Sequence, residues 1–210
     1  MFLSYKNSIF TAGIASLLSL GNWMLASPSY AITLDLTTWD KIGDVQLITS
    51  DQAQASSGTI DTVFTSGGNG SLEDFLGIDA GSLNSLAPES LFGATQGSAI
   101  KTLLTNVQVG DTFSFNWNLQ PGSDSVDKAF VTINNQIFSL DGDPLFNYSF
   151  LAAGNYIVGI GIVDIDDAAG ESQLIVRTAK LQAVPEPLTI LGVFTGISCG
   201  LVMRFRFSKK

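Results

Sequence analysis

The sequence predicts a mainly β protein: an antiparallel β-sandwich with a short helical insertion, set between an N-terminal signal helix and a C-terminal transmembrane helix. Three observations predict it. Residues 112–119 alternate apolar and polar side chains without a break. Residues 65–97 are rich in Gly, Ser and Leu and show little alternation. Each end of the chain carries an uncharged apolar run, 9–25 and 188–203, whereas all 19 acidic residues lie from Asp35 to Glu186.

The N-terminal run has the form of a secretory signal. Lys6 is its only charge, and Ser27-Pro28-Ser29-Tyr30-Ala31 follows the apolar stretch. Small residues at Ser29 and Ala31 satisfy the A-x-A-like cleavage rule, which places the cut between Ala31 and Ile32. Pro28 argues against an uncleaved anchor. The partners expected are the Sec export machinery and a signal peptidase.

Residues 32–183 then form one exported domain of ordinary size. Ile32 to Leu36 and Val45 to Ile48 are short strand candidates. Between Thr65 and Gly97, Ser71 and Asp74 imitate a capping box, and Leu72, Phe75 and Leu76 fall at helical spacing before Gly77, so one or two short helices are expected. Val107-Gln108-Val109 leads through Gly110-Asp111 into the alternating strand, as a strand–turn–strand unit. There Phe113, Phe115, Trp117 and Leu119 face one way, and Thr112, Ser114, Asn116 and Asn118 the other. Ala129 to Ile133 and Gln136 to Leu140 flank an Asn134-Asn135 turn. Tyr156 to Val163 is apolar on both faces, as a central strand is. Gly159 and Gly161 share one face of it and permit close approach by a backbone or a bulky ring. Leu174 to Leu181 is the last strand. The strand order predicts a jelly-roll-like sandwich.

Composition narrows the chemistry. The chain has no histidine and one cysteine. Ser-His-Asp and Cys-His triads, thiol-redox pairs and Cys/His-rich metal sites are therefore absent. A carboxylate pair of glycosidase type is the familiar catalytic route left, and no pair stands out, so the expectation is a protein that is not an enzyme. From Ile32 through Pro187, 19 acidic residues stand against Lys41, Lys101, Lys128, Arg177 and Lys180, a net charge of −14. Such a surface repels nucleic acid, so no nucleic-acid partner is expected.

Two binding chemistries remain open. Asp141, Asp143, Asp164, Asp166 and Asp167, with Asp124 and Asp127, lie in loops that offer the oxygen ligands calcium takes, although no EF-hand spacing is present. The alternative is ordinary turn chemistry, in which Asp caps backbone amides beside Gly. A glycan such as an exopolysaccharide is the second ligand class. Asn116, Asn118, Asn134-Asn135-Gln136, Trp39 and Tyr148 are the side chains available to it, whereas Trp117 shares the phase of the core.

The C-terminus has three parts in fixed order. Val184-Pro185-Glu186-Pro187 is followed by sixteen uncharged residues, Leu188 to Met203, and then by Arg204-Phe205-Arg206-Phe207-Ser208-Lys209-Lys210. At 1.5 Å per residue the run gives about 24 Å, short of a ~30 Å hydrocarbon core. Extending it to about residue 207, with Arg204 and Arg206 snorkelling, nearly closes the gap. Arg204, Arg206, Lys209 and Lys210 act as a cytoplasmic stop. The prolines on either side of Glu186 disfavour helix and keep that segment extended.

Residues 184–210 resemble the PEP-CTERM sorting signal of exosortase substrates in Gram-negative bacteria, cyanobacteria included. The tail departs from many members in having phenylalanines between its basic residues. The resemblance implies recognition at Pro185-Glu186-Pro187 by an exosortase-like membrane enzyme and processing nearby. It also implies transient residence in the cytoplasmic membrane, then delivery to the cell surface, outer envelope or extracellular matrix. Gly110 to Trp117, with Gly154-Asn155-Tyr156, resembles secreted PEP-CTERM proteins whose ectodomain is a galactose-binding-like jelly roll. That likeness carries no function with it.

Overall fold

The computed structural model describes residues 30–122, 126–166 and 171–184. The signal helix and the C-terminal helix, with residues 185–210, lie outside the described residues. Among the described residues no helix is long and apolar enough to cross a membrane. Tyr30–Val184 forms one compact unit.

The unit is mainly β, built from two antiparallel sheets. The first sheet contains β1 (Ala31–Thr33), β3 (Val45–Thr49), β4 (Gln52–Ser56), β7 (Thr112–Gln120), β10 (Leu145–Ser149) and β12 (Gln173–Gln182). Its order is β10-β7-β12-β4-β3, with β1 also paired to β12. The second sheet contains β2 (Asp40–Ile42), β5 (Val63–Phe64), β6 (Ala94–Val107), β8 (Lys128–Ile133), β9 (Gln136–Ser139) and β11 (Gly154–Ile165). Its order is β2-β6-β11-β8-β9, with β5 also paired to β6. The strand that is apolar on both faces, β11, lies between β6 and β8, where both its edges are hydrogen-bonded.

One apolar core draws on both sheets. Phe113, Phe115, Leu174, Val176 and Ala53 from the first meet Ile100, Val131, Val158, Ile160 and Ile162 from the second. Trp117 and Leu119 follow the same phase and pack half-buried on its margin. Aromatic rings run along this core from Phe115 through Phe146, Phe138 and Tyr148 to Phe150, with centroids 5.2–6.0 Å apart.

The insertion between β4 and β6 covers the other face of the second sheet. It holds the α-helix α1 (Leu72–Leu76) and a 3-10 segment, Ser82–Leu86. The Ser71 hydroxyl caps α1 by accepting from Asp74 N, and Gly77 ends it at φ +73°. Asp74 reaches back to Gly70 N rather than to Ser71 N, so the capping box is offset by one residue. Leu72, Leu76 and Leu83 pack with Ala99, Phe130 and Val163 in a second core. Gly159 and Gly161 of β11 make room for it. A Cβ on Gly159 would lie 2.4 Å from Leu76 Cδ2, and one on Gly161 2.7 Å from Phe130 Cζ.

Several sequence expectations change in the fold. Of the first candidate strand, Ile32 to Leu36, only Ile32 and Thr33 enter β1, because Asp35 accepts from Thr37 N and starts a 3-10 turn at Leu36. Residues 94–97 belong to β6 rather than to the helical region. The turn Gln108–Asp111 joins β6 to β7 across the two sheets, so it is a corner and not a hairpin.

Candidate functional site

With the insertion over the second sheet, the outer face of the first sheet is, among the described residues, the broad strand surface left without an apolar cover. Its residues are set by alternation. Because Phe113 and Phe115 point into the core, Thr112, Ser114, Asn116, Asn118 and Gln120 point out. Cross-strand register then builds rows. Leu145, Asn116, Arg177 and Gln52 stand abreast, and Asn118, Ile175, Gln54 and Gln46 form the next row. Asn147, Ser114 and Lys180 form another, toward β1. A shallow depression of about 240 Å³ opens at Asn116, Trp117, Asn118, Gln120, Ile175 and Arg177.

The electrostatics of this face differ from those of the body. No strand of the first sheet contains an Asp or Glu. Carboxylates stand only where strands end, and they are engaged locally. Asp51 accepts from Thr49 Oγ1, Asp143 from Leu145 N at 3.0 Å, and Glu171 from Gln173 Nε2 at 3.2 Å. Three of the body's cations are also engaged. Lys41 Nζ donates to Val45 O, Lys101 Nζ to Phe75 O, and Lys128 Nζ lies 3.9 Å from Asp141. Arg177 and Lys180 have no hydrogen-bond or ion-pair partner among the described residues, and both project from β12 onto this face.

The loop carboxylates of the calcium expectation lie at separate places in the fold, and two of them fall outside the described residues. Asp141 and Asp143 flank the exposed turn between β9 and β10, where Asp141 accepts from the Ser139 hydroxyl. Asp164 is fully buried at the end of β11. Asp166 sits beyond it at φ +70° and accepts from Phe92 N at 2.6 Å. Asp124 and Asp167 lie outside the described residues. Among the described residues no three Asp, Glu, Cys or His stand close enough together to hold a metal ion. Asp127 instead accepts from the buried Ser57 hydroxyl, whose oxygen accepts from Ser172 N at 3.1 Å, tying the ends of β4 and β12 together.

The glycan candidates separate in the same way. Asn116 and Asn118 belong to the open face. Trp39 does not, because it is 4% exposed and closes the 3-10 turn with its own backbone, so that expectation is corrected. Tyr148 is half-buried among Phe138 and Phe150, and Asn134 caps its turn by accepting from Ile157 N at 2.9 Å. Gln46, Gln52 and Gln54 join this face without having stood out in the sequence, although Gln52-Ala53-Gln54-Ala55 does alternate.

The predicted cleavage bond, Ala31–Ile32, lies within β1, where Ala31 pairs with Gln182 and Ile32 with Leu181. At the other end, Ala183 N donates to Tyr30 O at 3.1 Å and Val184 N to Asp111 Oδ1 at 3.0 Å. The Asp111 carboxylate also accepts from Gln108 N at 2.8 Å, so one buried side chain ties the β6–β7 corner to Val184. Pro185, Glu186, Pro187, Arg204, Arg206, Lys209 and Lys210 lie outside the described residues. The sequence matches no protein-family model, and it matches no curated protein.

Proposed function

We propose that the chain is an exported, non-catalytic surface or extracellular-matrix protein, sorted through a PEP-CTERM-type signal at residues 184–210. One observation carries this reading. The compact unit runs to Val184, and the tripeptide Pro185-Glu186-Pro187, an uncharged run and a basic tail follow at once and in that order. Prolines on both sides of Glu186 disfavour helix there, which suits recognition by a processing enzyme. Under the same proposal Sec and signal peptidase remove the leader, and an exosortase-like enzyme acts near Glu186.

The body is read as a jelly-roll-like sandwich. The support is the nesting of its pairs: β8 with β9, β7 with β10, β6 with β11 and β4 with β12, each enclosing the one before. A second reading, a carbohydrate-binding module, draws on the amide-rich outer face of the first sheet.

Mass spectrometry of both native termini tests the sorting proposal. The expected mature chain begins at Ile32 and ends near residues 185–187 in cells that contain the sorting enzyme, and keeps its tail in cells that lack it. An intact tail in both strains overturns the proposal. So does a chain truncated after Val184 that still reaches the same destination.

A further inference from the structure

We propose that the outer face of the first sheet is a binding face for an acidic polysaccharide, a hydroxyl-rich chain bearing carboxylates such as a polyuronate. The proposal rests on the interaction role put forward above and not on the route of export.

The argument starts from a defect in β12. Arg177 and Lys180 are three residues apart, and in a regular strand they would project to opposite faces. Here the register jumps, with Arg177 opposite Asn116 and Lys180 opposite Ser114, so three steps on β12 match two on β7. The extra residue is accommodated at Thr178, which takes φ +56°, a left-handed backbone that a β-branched side chain rarely adopts. The bulge brings Lys180 round to the face Arg177 already occupies. Bulges re-aim side chains, and backbone strain of this kind concentrates at functional sites. The strained turn thus gathers on one face the two cations that have no partner among the described residues.

Their surroundings define the ligand. The strands of this sheet contribute no carboxylate, in an exported stretch, Ile32 to Pro187, whose net charge is −14. Long-range repulsion therefore selects against densely charged polymers. Nucleic acid carries one charge per ~1.7 Å of duplex and needs many cations to hold it. Two cations set among amides suit a chain that carries a single carboxylate per sugar beside hydroxyls, a lower charge density than a nucleic-acid duplex. Arg177 offers the forked geometry that matches a carboxylate. Asn116, Asn118, Gln120, Gln52, Gln54 and Gln46 each carry both donors and acceptors, as hydroxyl groups require. None of these six side chains is committed to another among the described residues. Half-buried Ile175, in the lining of the depression, gives an apolar patch for a ring face.

Affinity electrophoresis of the purified full-length chain in a mild non-ionic detergent tests the proposal. Gels contain polygalacturonate, uncharged dextran or poly-glutamate. The expected result is retardation by polygalacturonate at low salt that weakens as salt rises, with little effect of dextran or poly-glutamate. Replacing both cations, Arg177→Gln with Lys180→Gln, should weaken apparent affinity about tenfold or more. Asn118→Ala, which leaves the charge unchanged, should weaken it severalfold. Lys128→Gln removes one charge from the other sheet and should leave binding as it was. A circular-dichroism melt of each variant separates lost binding from lost folding.

Absence of retardation in the wild-type chain overturns the proposal. Equal retardation by dextran or by poly-glutamate does the same, as does equal weakening by Lys128→Gln. A chain that binds polygalacturonate yet keeps its C-terminal tail in cells sinks the sorting reading and leaves this one standing.

Discussion

Glu73 shows how a single side chain organises the insertion. It is 2% exposed, yet it lies on a five-residue helix whose sequence would put it in water. Its Oε2 accepts from Gly81 N at 2.7 Å and its Oε1 from Leu83 N at 2.9 Å, so one carboxylate receives the chain as it enters the 3-10 segment. Glu73→Ala leaves both amides without their acceptor and should cost about 3 kcal/mol. For a unit of this size that is a fall in Tm of about 6–12 °C, read by circular dichroism. Glu73→Gln keeps one carbonyl acceptor and should fall between. A Tm unchanged by Glu73→Ala would show that water replaces the carboxylate. No local pattern marks Glu73, because its partners are eight and ten residues away in a segment without periodicity. Trp39 fails to read for a related reason: its burial follows from the 3-10 turn begun by Asp35, and the surrounding sequence has no alternation.

At the scale of elements, legibility followed solvent contrast. β7 has water on one side and core on the other, so its alternation survives in the sequence. β6 is covered on one face by the first sheet and on part of the other by α1, and its fourteen residues show no clean period. In β4 the alternation is present, but it is written in alanine, which has little strand preference. Asn116 and Asn118 were therefore legible as part of the candidate face. Their cross-strand neighbours were not, since register and bulges depend on pairings about 60 residues and more away in sequence.

Two predictions belong to this scale. If α1 lies directly on β11, Gly159→Ala should cost about 1–3 kcal/mol by overpacking against Leu76 and the Thr132 hydroxyl. In a Leu76→Ala background the same change should cost less, giving a coupling of at least about 0.5 kcal/mol in a double-mutant cycle by chemical denaturation. Additive costs would separate helix from strand. The second concerns the β12 bulge. Thr178→Gly removes a left-handed strain of about 1–2 kcal/mol and adds an unfolded-state entropy of about 0.5–1 kcal/mol. Its Tm should stay level or rise slightly, while the bond from residue 178 N to Asp51 O is kept. A marked loss would mean that the Thr178 side chain itself holds the bulge.

For the whole molecule, the nesting of strand pairs sets how the chain must fold. β8 and β9 are joined by two residues, whereas β4 and β12 are separated by more than a hundred. Closing such pairs entails large loop entropy, and sheets rich in distant pairings fold in about milliseconds to seconds. The ends of the unit offer a way to alter this without altering its contacts. Ala183 N donates to Tyr30 O, so residues 30 and 183 are hydrogen-bonded neighbours. A short Gly/Ser linker from Val184 to Tyr30 can join them, and new ends can be opened in the exposed turn at Gly142, where no atom stands within 4 Å of an added Cβ. In that permuted chain β12 and β4 come closer in sequence, while β7 and β10, β8 and β11, and β6 and β11 become distant pairs. The two sheets and both cores are unchanged, so the melt should lie within a few degrees of the unpermuted unit. Stopped-flow refolding should be slower, because one distant closure is shortened while those of β7–β10, β8–β11 and β6–β11 are lengthened. A permuted chain that fails to fold would mean that β7 and β10 must pair before the β12–β4 edge can form.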